Sequence, residues 1–259
     1  MMNDLHITLI QTPLHWQNPQ ANRAMLEEKI WQITETTDLI VLPEMFTTGF
    51  TMEASAWAEP MNLTTFKWLR QQAEQTGAML IGSYIIEANG QYFNRLIAMK
   101  PDGSYQHYDK RHLFRMANEH EIYTAGKTQI ICEWKGWRVM PLVCYDLRFP
   151  VWSRNKMLDY DLLLYVANWP APRAHAWKSL LMARAIENLS YVIGVNRTGE
   201  DGKGLLYAGD STAIDFKGDY LIQCAEAETL ASATLSKDNL HEYRAKFPAY
   251  KDADDFNLL

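Results

Sequence analysis

Apolar residues in this chain gather in short runs and at helical spacings that interleave from one end to the other. The run Leu5 to Ile10 predicts a first strand. Asn18-Pro19 predicts a helix start, with Asn as cap and Pro in the first turn, and Met25, Leu26, Ile30 and Ile33 follow at helical spacing. The segment from Asp38 to Pro43 is a continuous apolar run stopped by proline, as expected of a strand buried on both faces. Phe66 to Thr76 reads as a helix ended by Gly77, and Ala78 to Ile86 as the next strand. Asn89-Gly90 predicts a hairpin into Gln91 to Lys100, and Pro101-Asp102-Gly103 turns the chain again toward a strand at Ser104 to Lys110.

A polar loop from Arg111 to Thr128 follows, then strands at Gln129 to Trp134 and Trp137 to Cys144. Leu162 to Ala167 predicts another strand. His175 to Leu189 reads as a helix that is apolar over much of its circumference and must be covered on more than one side. Further strands are expected at Tyr191 to Val195, Ser211 to Asp215, Tyr220 to Cys224 and Ala231 to Leu235, before a last helix at Asp238 to Phe247 and an acidic tail. With no linker or repeat, residues 1–259 read as one α/β domain of mixed sheets with helices outside, closed by a C-terminal helix and tail from about residue 238.

Composition narrows the class. The chain has 259 residues, 47% of them hydrophobic and 22% charged, which fits a globular protein with a sizeable core. Its net charge is −6 and no basic stripe interrupts the sequence, which argues against nucleic acid as a partner. The three cysteines, Cys132, Cys144 and Cys224, are too few and odd in number for a disulfide framework, so a reducing, cytoplasmic setting is expected. The start lacks the basic segment of a secretory signal, and no apolar stretch is long enough to span a bilayer.

Three places carry candidate chemistry. Cys144 ends an apolar strand within Leu142-Val-Cys-Tyr-Asp-Leu-Arg-Phe-Pro150, where a nucleophile would be held rigidly yet face a pocket, with the Tyr145 N–H near the sulfur for an oxyanion. A cysteine there is more often a small buried hydrophobe. Glu44 also follows a buried strand, where desolvation suits a carboxyl to proton transfer; a surface or capping acid is the competing reading. Lys110 ends a third strand, placed to stabilise developing negative charge or to remain an ordinary solvated lysine beside Arg111. Nothing in the spacing selects His112 or His120 as a partner of Cys144.

The ordered segments LPEMFTTGF, YDKRHLF and LVCYDLRFP resemble the Glu-Lys-Cys signature of the nitrilase superfamily of carbon–nitrogen hydrolases. Asn168-Trp-Pro-Ala-Pro172 and Ala183-Arg-Ala-Ile-Glu-Asn188 resemble further segments of that family. The resemblance implies a four-layer α-β-β-α sandwich that dimerises through helices. It implies acyl transfer through a thioester, with Cys144 as nucleophile, Glu44 as proton carrier, and Lys110 with the Tyr145 N–H as oxyanion donors. Glu119 falls where the family carries a second glutamate, although Glu121 is two residues away. No metal or other cofactor is implied.

Within the superfamily the segments look most like the omega-amidase branch, which hydrolyses 2-oxoglutaramate and 2-oxosuccinamate. Such substrates carry a carboxylate, and Arg173 is the candidate to bind it, with an exposed arginine opening the next helix as the alternative. Asp146 and Arg148 read as a structural pair holding the cysteine turn, while Phe46, Tyr145 and Trp169 are candidates to line the pocket. Relatives acting on nitriles, N-carbamoyl amino acids or deaminated glutathione share the catalytic set. Two remoter readings are a metal-dependent phosphoesterase using Glu44, Asp210 and Asp215, and a non-catalytic module.

Overall fold

The alternation predicted for the first strand sorts its side chains between two apolar layers. In β1 (Asp4–Gln11), Leu5, Ile7 and Leu9 enter one layer with Val139 and Leu142, whereas Ile10 joins Leu26 and Ile30 in another. A strand with both faces buried belongs to a sheet covered on both sides. The protein is described by a computed structural model over residues 4–257. The two outermost residues of the expected C-terminal tail, 258 and 259, therefore lie outside the described residues.

Helix α1 (Pro19–Trp31) starts as the sequence indicates, with the Asn18 side chain accepting the Ala21 N–H and proline in the first turn. After β2 (Leu39–Val41), a short α2 (Ala54–Trp57) and β3 (Glu59–Pro60) precede α3 (Thr64–Thr76), which ends at Gly77 with φ 69°. β4 (Met79–Ala88) and β5 (Gln91–Met99) form the hairpin about Asn89-Gly90, and β6 (Tyr105–Asp109) pairs with β5. The polar loop that follows holds α4 (Glu119–Ile122).

Then come β7 (Cys132–Trp134), β8 (Trp137–Val143), α5 (Pro150–Ser153), β9 (Leu162–Ala167) and α6 (Ala174–Asn188). The chain continues through β10 (Tyr191–Asn196), β11 (Thr198–Glu200), β12 (Leu206–Ala208), β13 (Thr212–Ile214), β14 (Tyr220–Gln223) and β15 (Thr229–Ser236) to α7 (Lys237–Lys246). The β11–β12 hairpin lies in a charged, glycine-containing segment, and the small α2 and β3 elements are too short to show an apolar period.

One sheet runs β15-β1-β2-β4-β5-β6, with β3 added against β4; the other runs β14-β13-β10-β9-β8-β7. The sheets face each other across the largest apolar cluster. Helices α1 and α3 cover the outer face of the first sheet through Leu26, Ile30, Phe66 and Leu69. α6 covers the second so closely that a Cβ on Gly194 would sit 2.5 Å from Leu181 Cδ1. The layers are therefore α-β-β-α, as the resemblance implies. The ends of β6, β8 and β9 lead directly into Lys110, Cys144 and Asn168, and Glu44 follows β2 three residues on.

Candidate active site

Glu44, Lys110 and Glu119 are buried together, none more than 1% exposed. Lys110 Nζ donates to Glu44 Oε1 at 3.0 Å and lies 3.0 Å from both carboxylate oxygens of Glu119. Glu121, the alternative second acid, is exposed. A buried lysine is expensive unless it is paired, and here it is paired twice. Burial alone would lower the Lys110 ammonium, but the charges of Glu119 and Glu44 outweigh it and raise it well above the ordinary lysine range. Burial pushes the Glu119 carboxyl up, with Lys110 opposing.

Glu44 is held on all sides. Asn94 Nδ2 donates to Oε1 at 2.7 Å, the Asn168 N–H donates to Oε2 at 2.7 Å, and Asn168 Nδ2 donates to the Glu44 carbonyl at 2.5 Å. Glu119 Oε2 also accepts the Phe114 N–H at 2.6 Å. Lys110 is fixed through its backbone: its N–H donates to the Asn94 carbonyl, and its carbonyl accepts the Gly126 N–H, both at 3.0 Å. Only glycine fits at 126, since a Cβ there would lie 2.0 Å from the Asp109 carbonyl oxygen.

Cys144 follows β8 and takes a left-handed backbone, φ 46°. Met45 beside Glu44 has φ 42°, and Asn118 beside Glu119 has φ 57°. Positive φ in non-glycine residues costs on the order of 1–3 kcal/mol each and persists where the surroundings enforce it. Here it falls at or beside three of the four candidate groups. Burial pushes the Cys144 thiol well up, Glu44 adds to this by charge and a hydrogen bond, and Lys110 opposes both. Burial and the Glu44 charge thus both favour the thiol form, and Sγ lies 3.9 Å from the Asn168 carbonyl oxygen.

Cys144 opens onto a pocket of about 120 Å³. Its walls include Phe50, Phe114, Tyr145 and Trp169, with Asn168 between them. Arg148 and Arg173 line the same space, and their guanidinium groups stack on Trp169 at 4.9 Å and Phe114 at 5.2 Å. Among the described residues neither guanidinium has an ion-pair partner. Lys203, from the β11–β12 loop, adds a third cation to the rim.

Residues 6–245 match the carbon-nitrogen hydrolase family as a single unit. This chain is a carbon–nitrogen hydrolase. It is 51% identical to the omega-amidase YafV of Escherichia coli (strain K12), over 99% of this chain and 100% of the relative. It is 32% identical to a 2-oxoglutaramate amidase of Bacillus subtilis (strain 168), over 95% and 96% of the two chains. The solved structure of a CN-hydrolase superfamily protein from Xanthomonas campestris, with an arsenic adduct in its active site, superposes with a TM-score of 0.98 at 49% identity over 100% of both chains. The hydrolase is thus an enzyme acting on amides, built on the nitrilase-superfamily fold.

Several expectations about individual residues need correction. Phe46 does not line the pocket: its ring fills the gap over Gly82, 5.8 Å from Trp68 and 6.0 Å from Tyr84, in the layer beneath α3. The left-handed turn at Met45 separates its direction from that of Glu44. Asp146 and Arg148 do not pair. Asp146 instead binds Tyr108 and His112, and Arg148 faces the pocket. Residues 144–148 form a 3-10 turn of three residues per turn, which sends 146 and 148 to different sides. Asp210 pairs with Lys178 and Asp215 caps its own turn, so neither joins Glu44 as a ligand set. Among the described residues neither His112 nor His120 is hydrogen-bonded to Cys144; the His112 ring binds Asp146 instead.

Sequence reasoning missed Asn94 and the role of Asn168. The first carried one usable signal, a lone amide in the apolar run of β5, since a buried polar side chain needs a partner.

Proposed function

We propose that this hydrolase removes the terminal carboxamide of 2-oxoglutaramate and 2-oxosuccinamate, giving the 2-oxo acid and ammonia. The observation that carries the reading is the pair of unpaired guanidiniums, Arg148 and Arg173, in a small pocket shared with Cys144. A short acyl chain ending in carboxylate would place its charge there and its amide at the sulfur. Aromatic walls and about 120 Å³ of space favour such a chain over a tripeptide-derived amide.

The chemistry follows from the charges. Glu44 accepts the Cys144 proton as the sulfur bonds to the amide carbon, whose oxygen becomes an oxyanion held by Lys110 and the Tyr145 N–H. That N–H lies in the first turn after the strand and has no acceptor within the turn. The C–N bond breaks as Glu44 passes its proton to the nitrogen, and ammonia leaves. Glu44 then takes a proton from water, whose oxygen attacks the thioester. The C–S bond breaks and the proton returns to sulfur. Glu119 keeps Lys110 charged and directed throughout.

Ammonia release should be measured with both 2-oxo amides beside glutamine, asparagine, an N-carbamoyl amino acid, deaminated glutathione and a nitrile. Strong preference for the 2-oxo amides is expected; preference for any other compound would overturn the substrate assignment. The reading includes a homodimer acting in the cytoplasm, supported by the exposed Ile186 on α6 and by three buried, unpaired cysteines. Light scattering tests the dimer.

A further inference from the structure

Asp146 is fully buried and shares no ion pair with any Lys or Arg among the described residues. Four donors satisfy it. Oδ1 accepts the His112 N–H at 2.9 Å and the His112 ring Nδ1–H at 2.7 Å; Oδ2 accepts the Val143 N–H at 3.1 Å and the Tyr108 hydroxyl at 2.7 Å. The tautomer with Nδ1–H follows from the carboxylate facing it. The Tyr108 oxygen in turn accepts the Arg111 N–H at 3.2 Å and Trp152 Nε1–H at 3.0 Å.

These partners have a pattern. Tyr108 stands two residues before Lys110 and His112 two residues after it, while Val143 precedes Cys144 and Asp146 stands two residues beyond it. One carboxylate therefore grips the chain on both sides of the lysine and on both sides of the cysteine. The two segments belong to opposite sheets, β6 in one and β8 in the other, so no backbone ladder fixes one relative to the other. The His112 ring is braced from behind by Phe149, stacked at 3.8 Å and 9°.

We propose that Asp146, with His112, is a positioning residue that sets the distance between the Lys110 ammonium and the Cys144 sulfur across the two sheets. The assignment rests on the roles given above to Lys110 and Cys144. Its consequence is kinetic. An oxyanion cation displaced relative to the nucleophile stabilises the transition state less, while the substrate's remote carboxylate still finds its arginines.

His112 offers a clean discrimination because it is partly exposed and the fold does not depend on burying it. His112→Asn puts an amide N–H close to where Nδ1–H was, but removes the ring stacked on Phe149. His112→Phe keeps the stack and removes the donor. Steady-state kinetics on the preferred amide should show kcat lowered about tenfold or more by His112→Phe and by Asp146→Asn, with KM within about twofold. His112→Asn should retain most of kcat. A reversed order, with His112→Phe the more active, or wild-type kcat in His112→Phe accompanied only by a lower Tm, would overturn the assignment. Cys144→Ala and Lys110→Ala measured alongside separate the two levels. Turnover in Cys144→Ala, or near-normal kcat in Lys110→Ala, would remove the roles on which the assignment rests; a large loss of kcat in both beside a fully active His112→Phe would remove the positioning role alone.

Discussion

Each candidate group is positioned by residues that have no chemistry of their own, and substitutions report which contacts matter. Cys144→Ala should abolish turnover without unfolding the chain, since it removes one sulfur. Lys110→Met should lower kcat by about 10²–10³-fold, the scale of losing one oxyanion donor. Arg173→Gln and Arg148→Gln should each raise KM for 2-oxoglutaramate by about tenfold or more, the worth of a charge-assisted hydrogen bond. An unchanged KM in both would place the substrate carboxylate elsewhere.

The thiol gives a pH test with a definite sign. Burial raises Cys144 first and the charge of Glu44 raises it further. Glu44→Gln removes that second contribution, so the inflection in a plot of alkylation rate against pH should move to lower pH. A shift to higher pH would mean that Glu44 does not act on the sulfur as described.

These residues were unequally visible in the sequence. Glu44 and Cys144 follow apolar runs and Lys110 ends a hairpin-linked strand, and a reactive polar group at a strand end is conspicuous. Arg148 was not visible, because adjacency to Asp146 suggests pairing and only the tightness of the 3-10 turn separates them. Asn94 and Asn168 act by hydrogen bonds over sequence distances of 50 and 124 residues, which no local pattern encodes.

At the scale of elements, local signals were read well wherever a cap, a turn or a long apolar run existed. Asn18, Gly77 and Asn89-Gly90 all mark boundaries that the structure keeps. The β11–β12 hairpin escaped because glycines and charges dominate it. Its order comes from Asp201, whose carboxylate accepts the Lys203 and Leu205 N–H groups and the Tyr207 hydroxyl. Gly126 shows how an element depends on one missing atom. Gly126→Ala would drive a methyl into the Asp109 carbonyl and push the end of β6 outward with Lys110. Both effects should appear together, as a loss of about 1–3 kcal/mol in stability and a marked fall in kcat. Wild-type kcat with lowered Tm would show that Lys110 holds its place independently of that contact.

For the whole molecule, the last helix is tied to the second sheet by a buried charge cluster. Asp161 Oδ1 lies 2.8 Å from Arg138 and 3.0 Å from Arg244 of α7, with Lys237 at 3.3 Å from Oδ2. Burial would raise this carboxyl, but Arg138 and then Lys237 override it and hold it at about 2 against an ordinary 3.8. A carboxylate depressed in the folded state stabilises it fully above the unfolded value, and that stability disappears as pH falls through about 2. Asp161→Asn should therefore cost on the order of 1–2 kcal/mol near neutral pH in denaturant melts, with the difference from wild type shrinking steadily below pH 4. A constant difference across that range would assign the cost to lost hydrogen bonds instead.

The pairing of β1 with β15 has a consequence for how the molecule comes into being. Asp4 is matched to Ser236 and Gln11 to Thr229, an eight-residue antiparallel ladder between the two extremes of the sequence. During synthesis β1 leaves the ribosome long before β15, and its edge must wait for that strand before it is sealed. Loop closure over that span is slow, and an open edge invites pairing with another nascent chain. His6 and Thr8 within β1 make that interim edge polar on one face, and they meet Thr234 and Ser232 only once β15 arrives. A chain cut short before residue 229 would thus keep every candidate catalytic group and still lack the strand that lets its first sheet close.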